Sequence, residues 1–211
     1  MLGLYIHIPF CKTICSYCDF NKQLCYSTNQ IKEYIEALKK EIFKYKDKFS
    51  NIKTIYIGGG TPNSIPLDLI ENLLTYIDNY KNNILEYTIE VNSELLNIEQ
   101  IKCFLRHGIN RISIGVQSFD PIVIKAIRRH HNKEIVFKII NDCNALGLNN
   151  INIDMMYGLP KQDLTSLKND LAIINELKIK HISYYSLILE DKTILSYELK
   201  NNLINIPDED L

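Results

Sequence analysis

The chain has no tryptophan, no excess of either charge, no low-complexity linker and no apolar run long enough to cross a bilayer. Lys and Arg total 24 against 25 Asp and Glu, and a formal net charge of -1 supplies no field to gather polyanions. No nucleic-acid partner is expected; small or neutral ligands fit the balance better. A membrane helix needs about 20 consecutive apolar residues, and none are found. The start, Met1-Leu2-Gly3-Leu4-Tyr5, has neither the basic region nor the small-residue cleavage site of a signal peptide, so a cytoplasmic protein without a membrane span is expected. The missing tryptophan, beside abundant Ile, Asn, Lys and Tyr, reads as AT-rich coding bias and says little about function. With no linker and no block of like charge, 211 residues at 46% hydrophobic content suit one domain with one core.

Short apolar, β-branched runs alternate with longer segments of helical period, the pattern of repeated βα units around a parallel sheet. Strands are expected at 4–8, 54–57, 87–91, 111–116, 151–155 and 181–187. Between the first two, Ile31, Ile35, Leu38 and Ile42 fall on one helical face, and Ser27 with Gln30 forms a capping box at the start of that helix. Further helices are expected at 67–80, 98–107, 133–146 and 164–177, with a shorter one at 120–129. Gly108 and Gly147 stand where helix ends favour a residue tolerant of positive φ. The tail from Pro207 to Leu211 has the acidic first turn of another helix. A closed eight-stranded barrel takes about 250 residues. Six units therefore predict an α/β fold built as an open parallel (β/α)6 three-quarter barrel.

Six cysteines in a reducing compartment are poor disulfide candidates, and three are crowded between positions 11 and 18. The run is Cys11-Lys12-Thr13-Ile14-Cys15-Ser16-Tyr17-Cys18, in the loop after the first strand. Three thiolates on one short loop can hold three corners of a cubane iron–sulfur cluster, leaving the fourth iron open to a chelating molecule. A structural zinc site is the blander reading. It needs a fourth ligand, from Cys25 or His7, and usually a second Cys pair, which the sequence lacks. Cys103 and Cys143 read as small buried hydrophobes.

Gly58-Gly59-Gly60-Thr61-Pro62 follows the second strand and would let the backbone approach a ligand closely. It lacks dinucleotide-fingerprint spacing and the lysine of a phosphate loop, so a tight strand-to-helix turn explains it equally well. Glu90 and Asn92, Gln117 and Ser118, and Asp154 with Tyr157 to Pro160 each stand at the carboxyl end of a different strand, where parallel α/β barrels carry their active sites. Arg128, Arg129, His130 and His131 form either a solvated face or a cation for a bound carboxylate.

At Tyr5-Ile6-His7-Ile8-Pro9-Phe10-Cys11 and the cysteines that follow, the sequence resembles the radical SAM superfamily. The branch it resembles contains the oxygen-independent coproporphyrinogen III dehydrogenases and the related HemW-type haem chaperones. The resemblance continues through 58–62, 90–92, 115–118, 154–160 and 183–187. It implies a 4Fe-4S cluster on Cys11, Cys15 and Cys18, with S-adenosyl-L-methionine on the open iron and reductive cleavage to a 5'-deoxyadenosyl radical. It also implies cofactor contacts at Tyr5, Tyr17, Gly59, Gly60, Thr61, Glu90, Gln117, Arg129, Asp154 and Ile188. In that assignment glycine amides meet the methionyl part, carboxylates meet ribose hydroxyls or the amino group, and Arg129 meets the carboxylate; His7 is a motif position near the cluster.

Two departures distinguish the subgroups. The dehydrogenases carry a fourth Cys two residues after the third, where this chain has Phe20, and an N-terminal extension, where only four residues precede Tyr5. Both features look like the haem chaperones, which implies haem as cargo, a haem-accepting protein, and a low-potential electron donor such as flavodoxin or ferredoxin. A homodimer is compatible with this reading. The family continues into a C-terminal domain, so 1–211 is expected to be a radical SAM core that stops before it. The alternatives are a dehydrogenase acting by radical-initiated decarboxylation and a zinc-stabilised α/β binding module.

Overall fold

The computed structural model describes residues 2–24 and 26–208. Cys25, weighed above as a zinc ligand, and the acidic end of the tail at 209–211 lie outside them. The strands are β1 (Leu2–Ile8), β2 (Ile52–Gly59), β3 (Glu86–Asn92), β4 (Arg111–Gln117), β5 (Ile151–Tyr157) and β6 (His181–Ser186). They form one sheet in the order β1-β2-β3-β4-β5-β6, and every neighbouring pair is parallel. β1 and β6 are its two edges, so the sheet is open, as expected from six units. A strictly sequential order sends every right-handed crossover to the same face, which places the helices on one side and leaves the other uncovered.

The helices are α1 (Thr28–Lys44), α2 (Leu67–Asp78), α3 (Ile98–Arg106), α4 (Pro121–Ala126), α5 (Lys133–Ala145), α6 (Leu164–Leu177) and α7 (Ile194–Lys200). At the start of α1 the Ser27 hydroxyl accepts the Gln30 N–H at 3.3 Å and Gln30 Oε1 accepts the Ser27 N–H at 2.7 Å, the reciprocal pair of a capping box. Ile31, Ile35 and Ile42 are buried beneath that helix, with Leu38 half-buried at its margin. Gly108 and Gly147 end their helices at φ 75° and 91°. α4 is shorter than expected because Arg128 takes a left-handed conformation, φ 60°, that turns the chain back so that the Arg129 N–H reaches Ile124 O at 3.0 Å. α7 was not expected; the Thr193 side chain caps it by accepting the Ser196 N–H.

Residues alternate between the two faces along each strand. Ile6, Ile8, Ile55, Ile57, Ile89, Ile112, Ile114 and Ile153 point to the helices and are buried in the main core, each contributing about 1.5–3 kcal/mol of burial. The uncovered face is polar and laced by cross-strand hydrogen bonds. Tyr56 donates to Glu90 at 2.6 Å, Ser113 to Asp154 at 3.0 Å, and the Asn152 amide to Ser113 at 2.8 Å and Ser183 at 3.0 Å. Arg111 reaches Thr88 at 3.3 Å and His181 at 2.9 Å. A closed barrel of this family of folds fills its interior with branched apolar layers. A polar interior instead suits a bound polar ligand.

Candidate cofactor site at the carboxyl ends of the strands

The cysteine loop is fastened by backbone hydrogen bonds, which leave its thiols available. Gln23 N donates to Pro9 O at 2.7 Å and Cys11 N to Gln23 O at 3.1 Å, closing the loop on itself. Ser16 N donates to Ile127 O at 3.1 Å, and Leu195 N to Ser16 O at 2.8 Å, so the α4 terminus and α7 both hold its centre. Tyr17 packs with Met156 and Leu187 against Val123, Ile124, Ile127 and Leu159. Cys11 is buried, with Sγ 3.5 Å from the Thr61 hydroxyl, whereas Cys15 and Cys18 are half-buried. Burial raises the Cys11 and Cys18 thiols above their ordinary values, and the neighbouring cysteines add to the rise.

The glycine turn is shaped by this loop. A Cβ on Gly60 would lie 2.7 Å from the Pro9 carbonyl carbon and 2.9 Å from Cys11 Sγ; on Gly59, at φ 122°, it would strike the His7 ring at 2.7 Å. The Gly59 amide donates to Glu90 Oε2 at 3.1 Å, Gly60 to Ile8 O at 2.8 Å and Thr61 to Phe10 O at 2.9 Å. These amides are therefore committed within the protein rather than free for the methionyl part of a cofactor. What the glycines supply is the close approach of β2 to the cysteine loop.

Glu90 is held by Tyr56 and Gly59, and its burial raises its carboxyl above the ordinary value. Gln117 closes β4 in the left-handed region, φ 66°, a conformation uncommon for a residue that carries a side chain. Its Oε1 is buried without a hydrogen-bond partner among the described residues, a state that normally costs about 1–3 kcal/mol. Gly115 lets the Gln117 and Arg129 side chains approach the strand closely: a Cβ there would lie 3.3 Å from Gln117 Nε2 and 3.6 Å from Arg129 Nη1. An unsatisfied buried acceptor is the feature a hydrogen-bonding ligand would complete. Asp170, buried on α6, fixes the following turn by accepting the Ser118 hydroxyl at 2.8 Å and the Phe119 N–H at 2.7 Å.

Arg129 is buried and ties the cysteine loop to β3 and β4. Its guanidinium donates to Gly115 O at 2.8 Å and Asn92 Oδ1 at 3.2 Å, lies 3.8 Å from Glu94, and approaches Cys15 Sγ at 3.9 Å. Burial works against its charge, but Tyr17, Cys15 and Glu94 more than compensate, and its pKa lies above the ordinary value. His131 accepts the Arg129 Nε–H through Nδ1 and donates Nε2–H to Ser118 O, the tautomer of a neutral ring. Burial and the adjacent cation push its pKa down to about 4.

Thus Cys11, Cys15, Cys18, Gly59, Gly60, Thr61, Glu90, Gln117 and Arg129 converge at one end of the sheet. Asp154 joins them through Ser113, and Tyr5, exposed on β1, lies beside Tyr56 and His7. Ile188 follows β6 and is exposed. Sequence reasoning overlooked Tyr56, Ser113 and Asn152, which with Ser183 join these residues across the inner face. The signal was there: in Arg111-Ile112-Ser113-Ile114-Gly115-Val116-Gln117 every second residue is polar or glycine.

Residues 5–172 match the Radical SAM superfamily. The chain is 40% identical over 208 residues to the heme chaperone HemW of Lactococcus lactis, covering 98% of this chain and 54% of that protein. It is 35% identical over 215 residues to the heme chaperone HemW of Bacillus subtilis, covering 100% and 56%. The chain spans about half the length of the curated relatives it matches. The solved structure of coproporphyrinogen III oxidase (HemN) from Escherichia coli, a radical SAM enzyme, superposes with a TM-score of 0.87 at 28% identity, over 99% of this chain and 49% of that one. Among the described residues no helix is long and apolar enough to cross a membrane. The open six-stranded parallel sheet, the cysteine loop at its carboxyl end and the match across residues 5–172 agree, and the chain belongs to the radical SAM superfamily.

Proposed function

We propose that this chain is the radical SAM core of a cytoplasmic haem chaperone, binding haem and passing it to an acceptor protein. Superfamily membership implies a 4Fe-4S cluster and S-adenosyl-L-methionine. In this reading Cys11, Cys15 and Cys18 hold the cluster, while Glu90, Gln117, Arg129 and Asp154 surround the second cofactor, with Tyr5, Tyr17, Gly59, Gly60, Thr61 and Ile188 around them. When bound, the pair supplies one-electron reductive cleavage of a carbon–sulfur bond, with the electron coming from a low-potential donor protein. The orphaned Gln117 Oε1 supports the fit. Asp154→Ala should then weaken S-adenosyl-L-methionine binding by about ten- to a hundredfold, the loss of one charge-assisted hydrogen bond, and leave cluster content unchanged. Calorimetric titration of the cluster-loaded protein measures it, and unaltered affinity would remove Asp154 from the site.

The observation that favours a chaperone over a decarboxylating enzyme is Phe20, which stands two residues after Cys18 where the dehydrogenases resembled by this sequence carry a fourth cysteine. Phe20 is largely exposed beside the loop, and the HemW relatives point the same way. The complete gene product, with its cluster reconstituted anaerobically, is expected to bind haem and to leave coproporphyrinogen III unconverted when reductant and S-adenosyl-L-methionine are supplied. Anaerobic formation of protoporphyrinogen, read by fluorescence after oxidation, would instead establish the dehydrogenase.

A further inference from the structure

On the helix-covered side of the sheet, α2 and α3 bring together Glu71, Cys103 and His107, and one ligand atom from each lies within 4.8 Å of the others. The group lies away from the cysteine loop, because α3 ends at Arg106 on the approach to the start of β4. Cys103 on α3 and His107, which caps that helix, are four residues apart, and the His107 N–H donates to Cys103 O at 3.2 Å, so the two share a face. Glu71 faces them from α2.

The histidine carries the argument. His107 is more than nine-tenths buried, and its Nδ1 lies 2.6 Å from Asp78 Oδ2, which fixes Nδ1 as the donor. In the neutral ring Nε2 then carries the lone pair. It is buried without a hydrogen-bond partner among the described residues, and Glu71 Oε1, 3.8 Å away, is too far to serve. A carboxylate on one ring nitrogen and an open lone pair on the other is the arrangement by which proteins orient a metal-binding imidazole. The two anionic ligands also offset the charge of a dication. Lys81 pairs with Asp78, so a dication held by the Cys103 thiolate and the Glu71 carboxylate leaves only the charge of Arg106, which borders Glu71. Arg106 donates to Glu71 Oε1 at 2.7 Å, the oxygen that lies 3.8 Å from His107 Nε2, so it holds the carboxylate facing the histidine.

We propose that Glu71, Cys103 and His107 form a zinc site that clips α3 to α2, with water as the fourth ligand and Asp78 orienting the histidine. Thiolate, imidazole and carboxylate together suit Zn2+ and disfavour Mg2+ and Ca2+, which prefer all-oxygen shells. Binding forms a sulfur–zinc bond at Cys103 and releases the thiol proton to solvent, with no change of oxidation state. Tetrahedral zinc sets its ligand atoms about 3.5 Å apart, a contraction that movement of the half-exposed Glu71 can supply.

The test is metal analysis of the anaerobically cluster-loaded protein after equilibration with Zn2+ and removal of loosely bound metal on a chelating resin. One zinc per chain beyond the iron is expected, with a melting temperature that rises with added Zn2+. Glu71→Gln, a surface change, and Cys103→Ala, a small one, should each weaken zinc binding by about tenfold or more and leave iron and sulfide unaltered. Absence of retained zinc in the unsubstituted chain, or undiminished zinc affinity in either variant, overturns the proposal. Because the readout is zinc that depends on Glu71 and Cys103, its failure leaves the reading of the cysteine loop untouched.

Discussion

Cys15→Ala is expected to reduce cluster iron and sulfide to background in a chain that remains folded. The unsubstituted protein should carry the two in equal amounts after anaerobic reconstitution. Cluster assembly needs three thiolates in one loop, and two cannot hold three corners of a cubane. The fold should survive because the loop is held by its backbone, through Gln23 to Pro9, Cys11 to Gln23 and Ser16 to Ile127, and Cys15 is only half-buried. Cys103→Ala, on the opposite side of the sheet, should leave the cluster intact. Iron and sulfide analysis with circular dichroism of the same samples checks all three. Zinc rather than iron disappearing on Cys15→Ala would make the loop a structural metal site and would remove the basis for the cofactor reading.

The open barrel was legible because period and punctuation agreed along the chain: β-branched runs, helical spacing, the Ser27–Gln30 capping box and glycines where Gly108 and Gly147 turn left-handed. Cysteine spacing marked the loop for a similar reason, since its three candidate ligands are local in sequence. What escaped notice depended on backbone geometry or on distance. Nothing in Arg128 marks it as left-handed, so α4 was read too long. α7 is only seven residues and its single signal is the Thr193 cap. The polar inner face was written as alternation within each strand, but the pairs that define it, such as Tyr56 with Glu90 and Ser113 with Asp154, join residues more than 30 positions apart. The Glu71, Cys103 and His107 group needs the packing of two helices before its members meet.

Arg129→Ala should destabilise the chain by about 3–5 kcal/mol, a large share of the roughly 5–15 kcal/mol that separates a folded domain from its unfolded state. The cost comes from the partners left behind. Gly115 O and Asn92 Oδ1 lose a charge-assisted donor inside the protein, Glu94 loses its counter-charge 3.8 Å away, and truncation opens a cavity between the cysteine loop and β4. Arg129→Lys keeps the charge but not the fork that reaches Gly115, Asn92 and His131 together, so it should fall between the two. Urea unfolding gives the energies. A second readout separates this role from simple packing: part of what holds His131 near pKa 4 is the adjacent guanidinium, so Arg129→Ala should move that value upward while Arg129→Lys moves it less. The histidine is neutral when folded and titrates near 6.5 when unfolded, so the stability it confers is present above about pH 6.5 and is lost as pH falls toward 4. In Arg129→Ala this acid-sensitive window should narrow from its lower end, as NMR titration of the His131 ring would record. An Arg129→Ala chain within about 1 kcal/mol of the original, with His131 unshifted, would mean that the buried cation neither braces the loop nor sets the charge of its neighbour.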